Sequence, residues 1–259
     1  MRKIRCWNAI ARAVLLEALR RKDLWVIAIL GFIMILGASA LGFFGVAGLE
    51  VFVKDLSVTV LGLFSTIVAV LTSVRLLPDE IRNRTLYPLL ARPISRFDLL
   101  FGKFLGAVFA SWIGFLSLSF LTAIALLIFH VQFEWVMVQY LVAKMMGLVV
   151  ICAVTLALST FMTPQAGATM SFVLAFGSSM MIRGLVMASD SASAPMKGMF
   201  QVVNAMLPQY SIFDMGSRAA NIGWSAAPLW VMGALLGYMV VYSGAMLVLS
   251  WSKFRKQAI

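Results

Sequence analysis

The sequence predicts an all-α, polytopic membrane protein with six transmembrane helices, and three observations carry that reading. Hydrophobic residues fill 62% of the 259 positions and charged residues only 12%, against roughly 25% charged in a soluble globular chain. The apolar residues fall in blocks, each long enough to supply the roughly 20 residues that a helix needs to cross about 30 Å of hydrocarbon. The blocks lack the alternation of a barrel strand, so only helices satisfy their backbone inside lipid. The third observation is the placement of lysine and arginine, which also orients the bundle.

Residues 1–23 form a basic arm. Apolar residues recur at Ile4, Trp7, Ile10, Val14 and Ala18, with Arg5 and Arg12 on the other side. That helical spacing with a basic face suits an amphipathic interface helix on an anionic cytoplasmic surface. A topology signal with no further role explains the same arginines, and both readings stand. The arm is not read as the start of a signal peptide, because the 23 apolar positions of Leu24–Val46 outrun an h-region and no small-residue cleavage site ends them.

The first span is Leu24–Val46, the second Leu56–Leu77 and the third Leu99–Phe129. The fourth is Val136–Phe161, the fifth Ala166–Met187 and the sixth Leu229–Trp251. Trp25, Trp135, Trp230 and Trp251 stand at span ends, where amphipathic rings prefer the headgroup layer. Two segments interrupt this single domain, 1–259. Residues 78–98 make a coupling segment between spans two and three. Residues 188–228 lie between spans five and six, with helical spacing at Met196, Met199, Phe200, Val203 and Leu207 and a second apolar stretch at Tyr210–Phe213. Both pieces are too short to span, which fits re-entrant or interfacial helices.

Sixteen basic residues fall on one side: seven in the arm, Arg75, Arg82, Arg84, Arg92, Arg96 and Lys103 around the 78–98 segment, and Lys253, Arg255 and Lys256 in the tail. Lys54, Arg183, Lys197 and Arg218 fall on the other. This asymmetry puts both termini in the cytoplasm and makes 188–228 extracytoplasmic. It also accounts for the net charge of +11 without a nucleic-acid partner.

Little in the chain supports catalysis. Gly102-Lys103 is followed by Phe104, where a phosphate-cradling loop needs Ser or Thr, so no nucleotide site is expected here. The single histidine, His130, sits alone at a span end, and Cys6 and Cys152 lie in settings too different to pair. The methionines stand in for leucine in lipid and form no tight cluster, so no metal site is assigned.

The 78–98 segment carries more information. Pro78 followed by Asp79 and Glu80 reads as a helix start, Ile81, Thr85 and Leu89 share a side, and Pro93 stops it. Ser95 with Asp98 three residues later is a capping-box-like start for span three. The result is a short helix held between two rigid spans and presented to the cytoplasm, as a docking element would be.

Glu80, Thr85, Leu89-Leu90, Pro93-Ile94-Ser95-Arg96 and Gly102-Lys103 together resemble the ABC-2 class of ABC transporter permeases. Within it they are similar to the multicopper-enzyme-maturation subgroup, typified by the nitrous-oxide-reductase maturation permease. Arg84 departs from the family's usual glycine. The resemblance implies a permease subunit in a homo- or heterodimer in a prokaryotic inner membrane, moving a substrate with a separate cytoplasmic ATPase that carries the ATP and magnesium. It places ATPase coupling on Asp79, Glu80, Arg82, Arg84, Thr85, Leu86, Leu89, Leu90 and Arg92, and leaves this chain without cofactor or catalytic residue. A membrane scaffold or assembly factor is the alternative from another class.

Candidates for a translocation path come from the spans. Thr59, Gly62, Thr66, Ala69 and Ser73 share a face of span two, and Ser171, Ala175, Ser178 and Ser179 one of span five. Such faces pack helices and line polar routes alike. Lys144 lies within span four with no acid in any span to pair with it, so it is either functional or snorkels to the headgroups. Arg183 completes the set.

This topology is checked by cysteine labelling with an impermeant reagent. Cysteines at Lys54, Glu134 or Lys197 are expected to react from outside and those at Arg82 or Lys253 are not.

Overall fold

The structure is a computed structural model that describes residues 2–20, 29, 31–33, 37, 49–76, 95–128, 134–190, 194–220 and 226–256. No strand occurs among the described residues. The helices are α1 (Arg2–Arg20), α2 (Leu49–Val74), α3 (Arg96–Ile128), α4 (Trp135–Phe161), α5 (Pro164–Asp190), α6 (Ala194–Met206), α7 (Gly216–Ala220) and α8 (Leu229–Lys256). A single tight turn, Tyr210–Phe213, stands between α6 and α7.

Five of these, α2, α3, α4, α5 and α8, are long and apolar enough to cross a membrane, and they coincide with the second to sixth expected spans. The expected first span, Leu24–Val46, lies mostly outside the described residues. Within it Gly31 rests against α2 and α3, a Cβ there standing 3.2 Å from Leu118 Cδ2 and 3.4 Å from Phe64. Most of the 78–98 segment also lies outside the described residues.

The helices overrun the apolar windows. α2 starts at Leu49 rather than Leu56, and α8 continues through the basic tail to Lys256. Hydropathy marks where hydrocarbon begins, whereas backbone hydrogen bonding continues into the interface. One consequence corrects a sequence expectation. Lys54 is no loop cation: it lies in the second turn of α2, 2% exposed, with Nζ 3.4 Å from Glu134 Oε1 at the start of α4. A cysteine at Lys54 therefore does not report topology, and Lys197, which is exposed, is the better position.

α4 is the hub, packed by α2, α3, α5 and α8. Every residue from Gly147 to Ala157 on it is buried, as expected for a helix that is apolar all round. α5 and α8 sit at the periphery, with Met180, Val240 and Val241 among their exposed side chains.

α3 is the longest helix among the described residues and carries α1 along its first turns. The seat is two glycines one turn apart. A Cβ on Gly102 would stand 2.9 Å from Ile10 Cβ, and one on Gly106 would stand 2.6 Å from Val14 Cβ and 3.0 Å from the Ala11 carbonyl. Trp7 closes this contact, its Nε1–H donating to Asp98 Oδ1 at 2.7 Å and its ring meeting Phe101 edge-on. The expected apolar face of the arm, Trp7, Ile10, Val14 and Ala18, is thus turned toward protein.

The start of α3 has the anticipated capping geometry. Asp98 N–H donates to Ser95 Oγ at 3.0 Å and the hydroxyl donates back to Asp98 Oδ2. Arg96 donates to the carbonyls of Phe254 and Arg255 at 3.2 and 3.1 Å, a cation at the C-terminus of α8. Lys103, 1% exposed, donates to the Leu76 carbonyl at 2.6 Å just past the end of α2.

Replacing Gly106 by Leu is expected to wedge α1 off α3. Overpacking of this kind costs about 1–3 kcal/mol, read as a lower thermal midpoint of the purified protein in detergent, with Gly237→Leu, at a site open for at least 4 Å, as the silent control.

Candidate functional site

A cavity of about 530 Å³ opens between α2, α4, α5 and residues 210–217. Small residues make the room. Gly62 on α2 and Gly147 on α4 face it, and Ala175, Ser178 and Ser179 line it from α5. Lys144 reaches across from α4, so that Nζ lies 3.3 Å from where a Cβ on Gly62 would stand. The Tyr140 hydroxyl donates to the Val58 carbonyl at 3.0 Å, bracing α4 against α2 one turn nearer the Trp135 end.

The segment that closes the cavity is held by close approach. A Cβ on Gly147 would stand 3.0 Å from Phe213 Cβ, and one on Gly216 only 2.6 Å from Val58 Cγ1. Phe213 is buried between them. Behind it, Gln209 N–H donates to the Tyr238 hydroxyl at 3.0 Å and the Tyr242 hydroxyl donates to the Met206 carbonyl at 2.8 Å. Gln139 binds both sides of the Ala227 backbone, at 2.8 and 2.9 Å, fixing the approach to α8. Burial pushes the Tyr210 phenol well above its ordinary value, so this ring enters the lining as a neutral group.

Two acidic and two basic side chains line the cavity: Asp55, Asp214, Lys144 and Arg183. Asp214 Oδ1 accepts the Gly216 N–H at 3.2 Å and lines the same cavity as Lys144. The expectation that no acid in any span stands near Lys144 needs correction on this point. Asp55 lies within the α2 span and lines the same cavity, and residues 210–217 bring Asp214 in from outside the spans. The stem of Lys144 runs toward α2, not along α4 toward the headgroups.

Of the seven path candidates, Thr59, Thr66, Lys144, Ser178 and Arg183 meet at this cavity. Ser73 and Ser171 do not. Ser73 is fully buried in the packed end of α2, and Ser171 Oγ is turned onto its own helix, donating to the Gly167 carbonyl at 2.7 Å. The polar face of α2 therefore divides: its first half borders the cavity, and its second is a packing surface. Asp55, Tyr210, Asp214 and Ser217 were missed by sequence reasoning. The one signal for them was an acid directly after the apolar run Tyr210–Phe213. The coupling candidates Asp79, Glu80, Arg82, Arg84, Thr85, Leu86, Leu89, Leu90 and Arg92 lie outside the described residues.

A family model described as "ABC-2 family transporter protein" matches residues 17–181, nearly two thirds of the chain. The chain belongs to that family. As an ABC-2 family member it is a multi-pass integral membrane protein and the permease subunit of an ABC transporter, a non-catalytic subunit of a kind that works with a cytoplasmic ABC ATPase. A search of curated proteins finds no match. The matched stretch takes in α2, α3, α4 and most of α5. It therefore covers Asp55, Thr59, Thr66, Lys144 and Ser178 of this permease, while Arg183 and residues 210–217 lie beyond it.

Gly216→Val is expected to lift the 210–217 segment from α2, since its added methyls meet Val58 where a single Cβ already collides. A loss of about 1–3 kcal/mol is anticipated, measured by denaturant unfolding in detergent, with Gly184→Val, which has open space, unchanged.

Proposed function

We propose that this permease moves its substrate through the cavity between α2, α4, α5 and residues 210–217, driven by an ATPase docked on the 78–98 segment. The observation that carries the reading is a charged, hydroxyl-lined cavity reaching membrane depth in a chain of this family. Lys144 stands nine residues after Trp135, about 14 Å along the helix, near the middle of a core about 30 Å thick. Intramembrane charge marks substrate and ion pathways, and transporters place their sites near the midplane.

The complete unit on this reading is a dimer of six-span subunits, both termini in the cytoplasm, in a prokaryotic inner membrane. ATP and magnesium belong to the partner ATPase. Membrane lipid surrounds the α5 and α8 periphery, and α1 rides at the cytoplasmic interface. The motif from Glu80 to Lys103 favours the multicopper-enzyme-maturation subgroup. Glu80 tethers the coupling helix through Arg84 four residues on, an acid-before-base order that favours a helix.

Two variant pairs test the two halves of this proposal. Ser178→Phe and Thr66→Phe are expected to lower transport while ATPase binding is kept. Glu80→Ala and Leu89→Asp are expected to keep insertion and lower ATPase recruitment, by about 2 kcal/mol where the lost charge leaves a buried counterpart unpaired. Full transport in the first pair would make the cavity a packing feature, and full recruitment in the second would reduce the segment to a topology signal.

A further inference from the structure

The cavity lining has zero net formal charge, two acids against two bases. A ligand of one charge sign gains little from such a field, whereas a ligand carrying both signs pairs with both. Lys144 Nζ makes no hydrogen bond or ion pair among the described residues, and Asp214 lines the same cavity from the 210–217 segment. Asp55 and Arg183, nearer the Trp135 end, repeat the same acid–base composition. The cavity thus offers acceptors and donors of opposite charge within one lining, and among the described residues Lys144 has no bonded partner.

The cavity also has an apolar border. Leu63 of α2 and Phe176 of α5 line it and are 40% and 50% exposed. Val173 and Met180 continue the apolar surface on α5. The polar lining is thus bordered by an apolar lip of exposed side chains on α2 and α5. A small soluble solute has no use for that lip. A molecule with a polar head and an apolar tail uses both parts.

We propose that the cavity takes the head group of a zwitterionic amphiphile, a phosphodiester that bears a primary amine. The phosphate sits on Lys144, with Arg183 as a second cation toward the mouth. The ammonium lies against Asp214, with Asp55 as its counterpart toward the mouth. The acyl chains leave between α2 and α5 over Leu63 and Phe176. This deepens the transport reading by naming the class of molecule transported.

The experiment is native mass spectrometry of the full chain released from mild detergent, with phosphatidylethanolamine, phosphatidylglycerol or phosphatidylcholine added at equal mole ratio. Phosphatidylethanolamine is expected to be retained best. Lys144→Gln is expected to lower its retention about tenfold, the scale of one charge-assisted hydrogen bond. Asp214→Asn keeps an acceptor for Gly216 N–H and is expected to narrow the preference over phosphatidylglycerol. Arg183→Gln, at an exposed position, tests the same charge logic where folding is not at stake. A photoreactive benzoylphenylalanine at Phe176 keeps all four charges and is expected to cross-link the acyl chain.

Equal retention of phosphatidylglycerol would overturn the proposal, as would indifference to both Lys144→Gln and Arg183→Gln. Competition by soluble O-phosphoethanolamine as strong as that of the lipid would show a free head-group site and overturn the amphiphile. Cross-linking of Phe176 to a second copy of the chain in place of lipid would overturn the lateral exit. These readouts are of binding. If they come out as expected while Ser178→Phe and Thr66→Phe leave transport intact, the site stands and the transport reading falls.

Discussion

An ammonium carried to the middle of a membrane-spanning helix is expensive unless its surroundings compensate, and the architecture around Lys144 answers that cost. Gly62 removes the side chain that would occupy the space of the amine. Tyr140 spends its hydroxyl on the Val58 carbonyl and so fixes the distance between α2 and α4 at that depth. Asp214 supplies opposite charge from a segment that does not span, and that segment reaches it only because Gly147 and Gly216 let Phe213 and Val58 approach. Closer to the Trp135 end, Lys54 meets the same requirement by a direct contact with Glu134. One lysine is paired in place; the other faces a cavity.

The long-range part of this arrangement was not readable from the sequence. Apolar blocks gave the five described spans, since the requirement to satisfy backbone groups in lipid acts locally and leaves a compositional trace. Ser95 with Asp98, and the apolar face Trp7–Ile10–Val14, were legible for the same reason: cap and stripe are short-range patterns. Lys144 was conspicuous as an isolated charge. Asp214 was not, because its relation to Lys144 spans seventy residues and depends on a fold-back after Pro208. The division of the α2 face was equally hidden, since Thr66 and Ser73 look alike in sequence and only packing tells them apart.

The residues that carried the family resemblance have physical tasks where they are described. Ser95 caps α3. Arg96 binds the end of α8 and Lys103 the end of α2. Gly102 clears the way for Ile10 of α1. Four positions within nine residues thus join the start of α3 to the ends of α2 and α8 and to the middle of α1. A pattern that reads as a signature is, in this protein, a junction where α1, α2, α3 and α8 are fastened to one another.

The Arg96 contact gives the chain's tail a mechanical meaning. The guanidinium grips carbonyls at Phe254 and Arg255, in the last turn of α8. The residues at the start of α3 and the last turn of α8 are thus tied directly, so a shift of the chain just before α3 is felt in the final turn of α8 without passing through the helices between them.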